Sequence, residues 1–187
     1  MSNVGKWDNW YRGLDKSQPQ PFGGGDTYHM AAEWLRECET VGDWGCGKGA
    51  FRPFVREPQK YFGFDGSATP FAHQIVDLAD FRFPTEGLLM RHVIEHDYRW
   101  RDILINADRS YTHRMMIVLF TPMIESFDPE VKEIAFQELG PLGGVPDLSF
   151  SLAAINTVIT ENLVGVTTIA SATQYGVETV LQYERHR

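Results

Sequence analysis

Short apolar runs bounded by charged or turn-forming residues recur along this chain, at Thr40–Trp44, Lys60–Phe64, His73–Val76, Gly87–Met90 and Met115–Phe120. Runs that are apolar almost throughout predict strands buried on both faces. Between them the spacing changes. Met30, Ala31, Trp34, Leu35 and Cys38 fall at steps of three and four, which predicts a helix over about Thr27–Cys38, with Asp26 placed to cap it. Trp100, Ile103, Leu104 and Ala107 do the same for a helix starting near Asp97. Phe127-Asp128-Pro129-Glu130 predicts another helix start: Asp as cap, Pro in the first position, an acid near the positive end of the dipole. A Gly/Pro loop over Leu139 to Asp147, a helix at about Leu148–Thr160 and two closing strands, Leu163–Ala170 and Val177–Tyr183, complete the pattern. The tight spacing of the last two suits an antiparallel hairpin. The class predicted is α/β: a mainly parallel sheet of seven strands, helices on both faces, ending in an antiparallel pair.

Gln18 to Asp26 (QPQPFGGGD) is the clearest break in the pattern. It divides the chain into residues 1–26, an aromatic segment with a Pro/Gly-rich linker, and residues 27–187, one domain. Trp7, Trp10 and Tyr11 in the first part suit either a lid hinged at Gly23-Gly24-Gly25 or a patch packed on the outer helices of the sheet.

A length of 187 residues is enough to bury a full core. The net charge of −8 argues against an extended phosphate-binding surface. The arginines between Arg91 and Arg114, with Trp100 and Tyr111, hint at nucleic acid, but Glu95, Asp97, Asp102 and Asp108 offset them and leave a solvated helix face. DNA is an unexpected substrate; RNA stays open. Cys38 and Cys46 form neither a disulfide framework nor a zinc spacing, as in a reducing compartment. No run approaches the roughly 20 apolar residues that span a bilayer, and the N-terminus lacks a signal-peptide core. A cytoplasmic protein is the expectation.

The chemistry concentrates at Val41-Gly42-Asp43-Trp44-Gly45-Cys46-Gly47-Lys48-Gly49-Ala50-Phe51. An apolar strand ends in an acid, and alternating glycines then let the backbone turn tightly, with bare N–H groups facing a ligand. A segment able to start a helix follows. In parallel sheets ligands sit outside the carboxyl ends of the strands, where strand order reverses. Asp65, after Tyr61-Phe62-Gly63-Phe64, falls there at the spacing of an acid that accepts from ribose hydroxyls. Asp77 ends the next strand, where a carboxylate suits an exocyclic amine, and His92-Val93-Ile94-Glu95-His96 follows the fourth.

VGDWGCGKGAF, FGFDGS, VDLADF, LLMRHVIEH, VLFTP and YGVETVLQYER, in this order, resemble the class I S-adenosylmethionine-dependent methyltransferases from about Thr27 to the C-terminus. The resemblance implies a Rossmann-like, doubly wound sheet, S-adenosyl-L-methionine as cofactor, and methyl transfer to a small-molecule oxygen or nitrogen acceptor. By the same resemblance, Gly45, Cys46 and Gly47 line the methionine and ribose part, and Asp43 holds that end. Asp65 binds both ribose hydroxyls, Asp77 the adenine amino group and the Leu78 backbone the ring nitrogen. Arg91 and His92 lie beside the sulfonium. The chain departs from the family at Gly87, where an acid often opens the fourth strand.

A base is needed only for some acceptors, and His92 and His96 are the titratable groups nearest the strand ends. Two other readings remain. One keeps the cofactor fold without turnover, as a binding module or partner subunit. The other takes His92-Val93-Ile94-Glu95-His96 as the H-x-x-E-H zinc-peptidase pattern on a helix, with Glu95 as base and a further acidic ligand downstream.

Overall fold

The computed structural model describes residues 2–12, 25–159, 163–173 and 176–186. Its strands are β1 (Thr40–Trp44), β2 (Lys60–Asp65), β3 (Gln74–Ile75), β4 (Thr85–Arg91), β5 (Tyr111–Leu119), β6 (Val131–Glu138), β7 (Gly144–Phe150), β8 (Leu163–Thr173) and β9 (Gly176–Arg185). Its helices are α1 (Asp8–Arg12), α2 (Asp26–Trp34), α3 (Trp100–Asp108) and α4 (Leu152–Asn156). Seven strands form one sheet in the order β3-β2-β1-β4-β5-β9-β8, while β6 and β7 form a separate ribbon. The pairs β1–β2, β2–β3, β1–β4 and β4–β5 are parallel; β9 runs against both β5 and β8. Strand order therefore reverses between β1 and β4, which opens a crevice at their carboxyl ends.

Adjacent residues of the central strands feed opposite cores, as the strand period of two requires. Leu88 and Met90 of β4, with Met115, Ile117 and Leu119 of β5, pack with Trp100, Ile103, Leu104 and Ala107 of α3. Leu89, Met116 and Val118 face the other way, onto Tyr28 and Ala31 of α2 and the following Leu35 and Cys38. The expected two-sided burial holds for β1, β4 and β5 but not for the edge strand β3, where Gln74 and Ile75 are both exposed, and both cysteines are buried thiols outside any disulfide. Among the described residues no helix is long and apolar enough to cross a membrane.

Several local expectations are corrected. Asp26 is the first residue of α2 rather than its cap: Gly25 holds that position and no side chain caps the helix. The segment after the glycine turn is one 3-10 turn, Arg52–Phe54, and not an α-helix, so the turn does not open onto an α-helix N-terminus. Phe127-Asp128-Pro129-Glu130 opens strand β6 instead of a helix, and the span assigned to a loop and then a helix up to residue 160 holds β7 and the short α4. The cause is tertiary. β7 is buried at every position, Phe150 meets Trp100 edge to face at 5.1 Å, and β6 pairs antiparallel with it. Ser151 supplies the real helix cap, its Oγ accepting from Ala154 N at 3.1 Å. Residues 18–24 of the linker, the hinge glycines Gly23 and Gly24, and Thr160 lie outside the described residues.

Candidate active site

The glycine turn leaves β1 with positive φ at Gly45 (+75°), Gly47 (+49°) and Gly49 (+68°), a region that L side chains avoid. Gly45 N and Cys46 N both donate to Phe64 O, at 2.8 and 3.0 Å, which ties the turn to β2. A Cβ on Gly45 would meet Val93 Cγ2 at 2.5 Å, and one on Gly47 would meet the Tyr11 hydroxyl at 3.2 Å.

Asp43, Asp65 and Asp77 stand at the carboxyl ends of the neighbouring strands β1, β2 and β3. Asp65 Oδ2 accepts from Gly47 N and Oδ1 from Ser67 N, both at 2.8 Å. Each oxygen keeps a lone pair for a further donor. Burial pushes the Asp65 carboxyl up to about 6, against the pull of those N–H groups. Asp43 accepts from the Tyr61 hydroxyl at 2.7 Å. Burial, with Asp65 adding repulsion, raises Asp43 to about 7. Asp77 is gripped by Arg99 Nη2 at 2.7 and 2.6 Å and takes the Ser2 hydroxyl at 2.6 Å; these donors hold it below the usual carboxylate range despite the opposing cost of burial. The Leu78 N–H has no partner among the described residues. Cys46 is buried, which drives its thiol up and keeps it neutral.

Arg91 and His92 lie on the far side of the switch point, in a network that the sequence did not disclose. Glu178 of β9 accepts from Arg91 Nη2 at 2.6 Å and Thr27 Oγ1 at 2.8 Å, and lies 2.9 Å from His92 Nε2. Arg91 also reaches Thr27 Oγ1 and the Tyr28 hydroxyl. His92 carries a φ of +57°, the one non-glycine residue so placed among those described. Such a backbone is held by its surroundings: here His92 N bonds Val118 O at 2.9 Å. Burial lowers the His92 pKa, and the Glu178 contact opposes that shift.

The H-x-x-E-H pattern does not lie on an α-helix. His92 is in a left-handed turn and Ile94–His96 form a 3-10 turn, so the face that would present both imidazoles to zinc is not formed. His92 turns to Glu178 and His96 to Asp147, and Glu95 is buried with its Oε1 accepting from Phe120 N at 2.9 Å.

Residues 2–12 run over this edge. Gly5 N donates to Gly66 O, Trp7 N to Ser67 Oγ and Ala68 N to Asp8 Oδ1, at 2.8, 3.0 and 2.7 Å. Asn3 Nδ2 donates to His96 O at 2.7 Å, and Trp7 stands edge-on to the His96 ring at 5.2 Å. The Tyr11 hydroxyl is raised well above its ordinary value, first by burial and then by Asp65.

Neither a family model nor a curated protein matches this chain. Solved structures do. The chain resembles 1,6-didemethyltoxoflavin-N1-methyltransferase of Burkholderia thailandensis with bound S-adenosylhomocysteine (TM-score 0.66, 11% identity, 97% of this chain and 84% of that one). It also resembles magnesium protoporphyrin IX methyltransferase of Synechocystis PCC 6803 (0.64, 16%, 96% and 94%). A third is the N-methyltransferase NodS of Bradyrhizobium japonicum WM9 (0.62, 11%, 96% and 96%). With the strand order, the antiparallel β9 and the glycine turn at the switch point, these likenesses give the chain the fold of the class I S-adenosylmethionine-dependent methyltransferases.

Proposed function

We propose that this chain transfers a methyl group from S-adenosyl-L-methionine to a small-molecule oxygen or nitrogen acceptor. The observation that carries the reading is the set of carboxylates on adjacent strand ends around the glycine turn, Asp65 above all. Its two oxygens are already aimed by Gly47 N and Ser67 N and keep lone pairs for two ribose hydroxyls. Asp77 takes the adenine amino group in place of the Ser2 hydroxyl, while Arg99 keeps it ionised. The unpartnered Leu78 N–H meets the ring nitrogen. Gly45, Cys46 and Gly47, with Asp43 behind them, receive the ribose and methionine portion, and Arg91 and His92 flank the methyl-bearing end. The cofactor supplies an electrophilic methyl group; the protein's share is to align the acceptor with it and exclude water.

Among the fold neighbours are methyltransferases of magnesium protoporphyrin IX and of 1,6-didemethyltoxoflavin, which supports a small-molecule acceptor. Residues 2–12 then act as a lid over the glycine turn, a reading supported by the Tyr11 hydroxyl, which a Cβ on Gly47 would meet at 3.2 Å.

Calorimetric titration with S-adenosylhomocysteine tests the cofactor site. Wild type binds, and Asp65→Ala weakens binding at least tenfold by removing hydrogen bonds to a charged group; equal affinity contradicts the ribose contact. Methyl-labelled cofactor incubated with small-molecule extracts then separates an enzyme from an inert binding module, the reading that the Tyr11 obstruction favours. Label moving to any acceptor eliminates the inert module.

A further inference from the structure

We propose that His96 is the base that takes the proton of an acceptor hydroxyl, with Asp147 of β7 as its positioning residue. This deepens the methyl-transfer reading above and rests on it. The signal is a shared nitrogen. His96 Nδ1 lies 3.1 Å from Asp147 Oδ1 and 3.2 Å from Pro146 O. Both neighbours can only accept, so Nδ1 carries the proton and Nε2 keeps its lone pair. Nε2 has no hydrogen-bond partner among the described residues.

The dyad is held on every side. Gln137 Nε2 donates to the same Asp147 oxygen at 2.7 Å, which fixes the carboxylate. Asn3 Nδ2 fastens the His96 carbonyl, and the rings of Trp7 and Phe120 flank the imidazole, each at 5.2 Å. The position is also right, since His96 ends the 3-10 turn Ile94–His96 that follows β4, at the edge where the cofactor's methyl end is assigned. His92 is the poorer base: its Nε2 is turned to Glu178, a carboxylate shared with Arg91 and Thr27. The charges around His96 are mixed. Glu95 and Asp97 belong to its own turn, Asp147 comes from β7, Arg91 and His92 from the end of β4, and Lys6, bound to Gly144 O, from the N-terminal segment.

In the step assigned to this pair, Nε2 takes the proton of the acceptor hydroxyl as the oxygen forms its bond to the methyl carbon. The carbon–sulfur pair returns to sulfur, and the imidazolium then gives its proton to water. The Asp147 carboxylate stabilises that imidazolium and keeps the ring in the productive tautomer.

Two measurements on the full chain test this. Ring nitrogen NMR of wild type should show His96 with a protonated Nδ1 and a bare Nε2, and Asp147→Asn should mix the tautomers. With the acceptor recovered from extracts and labelled S-adenosylmethionine, Asp147→Asn should lower kcat at least tenfold and displace the rising limb of the pH profile. KM and S-adenosylhomocysteine binding should change less than twofold, and His96→Asn should abolish the limb. The proposal is overturned if Asp147→Asn leaves tautomer and limb unchanged, if His96→Asn keeps wild-type kcat, or if the methylated atom is not oxygen. Failure of wild type to bind S-adenosylhomocysteine or move label defeats the methyl-transfer reading and the base role with it. The NMR result still reports on the pairing itself.

Discussion

At the residue scale, the acids that local sequence could place are the ones standing at strand ends. Asp43, Asp65 and Asp77 each follow an apolar run, and the structure brings all three to one edge on neighbouring strands. Glu178 and Asp147 were invisible, because each meets its partner across a distance in sequence that no periodicity records: Glu178 joins Arg91 from 87 positions away. Gly87, the departure from the family pattern, has a packing explanation. A Cβ there would lie 3.0 Å from Cys38 Sγ and 3.2 Å from Leu35, and the β4–β5 register shifts between Thr85 and Gly87. Gly87→Asp should therefore lower stability by about 1–3 kcal/mol, the usual range for overpacking, read as a lower denaturant midpoint. Asp65 makes a sharper case. Its carboxyl is pushed up to about 6 by burial, yet ribose hydroxyls donate best to the ionised form. S-adenosylhomocysteine affinity should rise about tenfold per pH unit below 6 and level off above 7, while Asp65→Asn removes the slope. A flat profile in wild type would show that Asp65 does not contact the ligand.

At the element scale, buried strands and α3 were legible because their apolar pattern is dictated by two-sided packing or by one helix face. The segment from residue 127 to residue 150 was misread for a reason that local rules cannot repair. Asp-Pro-Glu is a sound helix start, but here it precedes a strand whose partner, β7, is drawn into the core by Val145, Leu148 and Phe150. Pairing and burial outweigh capping preferences worth about 1 kcal/mol. The N-terminal segment was ambiguous in sequence, since Trp7, Trp10 and Tyr11 carry no information about which surface they meet. Its contacts with Gly66, Ser67, Ala68 and Asp77 put it on the crevice. Deleting residues through Gly25 should leave a cooperatively folded domain, because no residue of α1 belongs to the fully buried core. It should also speed S-adenosylhomocysteine release at least tenfold, measured by stopped flow. An unfolded truncation, or an unchanged off-rate, would assign the segment a purely structural part.

At the scale of the whole molecule, the sheet can be inferred from pattern alone, but its stability against pH depends on how the acids are divided. Asp43 and Glu95 are each held up to about 7 by burial, and Asp65 to about 6. Asp77, Asp147 and Glu178 are held down by arginine, histidine or hydroxyl donors. The two groups act in opposite directions. For the raised acids the folded protein binds more protons than the unfolded chain between about pH 4 and 7, so stability falls as pH rises through that window. For the lowered acids the contribution is present above the unfolded values and is lost as pH falls through the folded ones. The ligand-free protein should thus be most stable near pH 4–5 and weaken toward pH 8, against the habit of most small domains. Asp43→Asn isolates the effect, because the amide carbonyl still accepts from Tyr61 while nothing titrates. With the shift from 3.8 to about 7, at about 1.4 kcal/mol per unit, the variant should gain on the order of 4 kcal/mol over wild type at pH 8 and nearly nothing at pH 4. Thermal melts at the two pH values measure it. A variant no more stable than wild type at pH 8 would mean that the Asp43 charge is compensated in the folded chain, by Arg91 and Tyr61 acting together, and that burial at this edge carries no stored cost for a ligand to relieve.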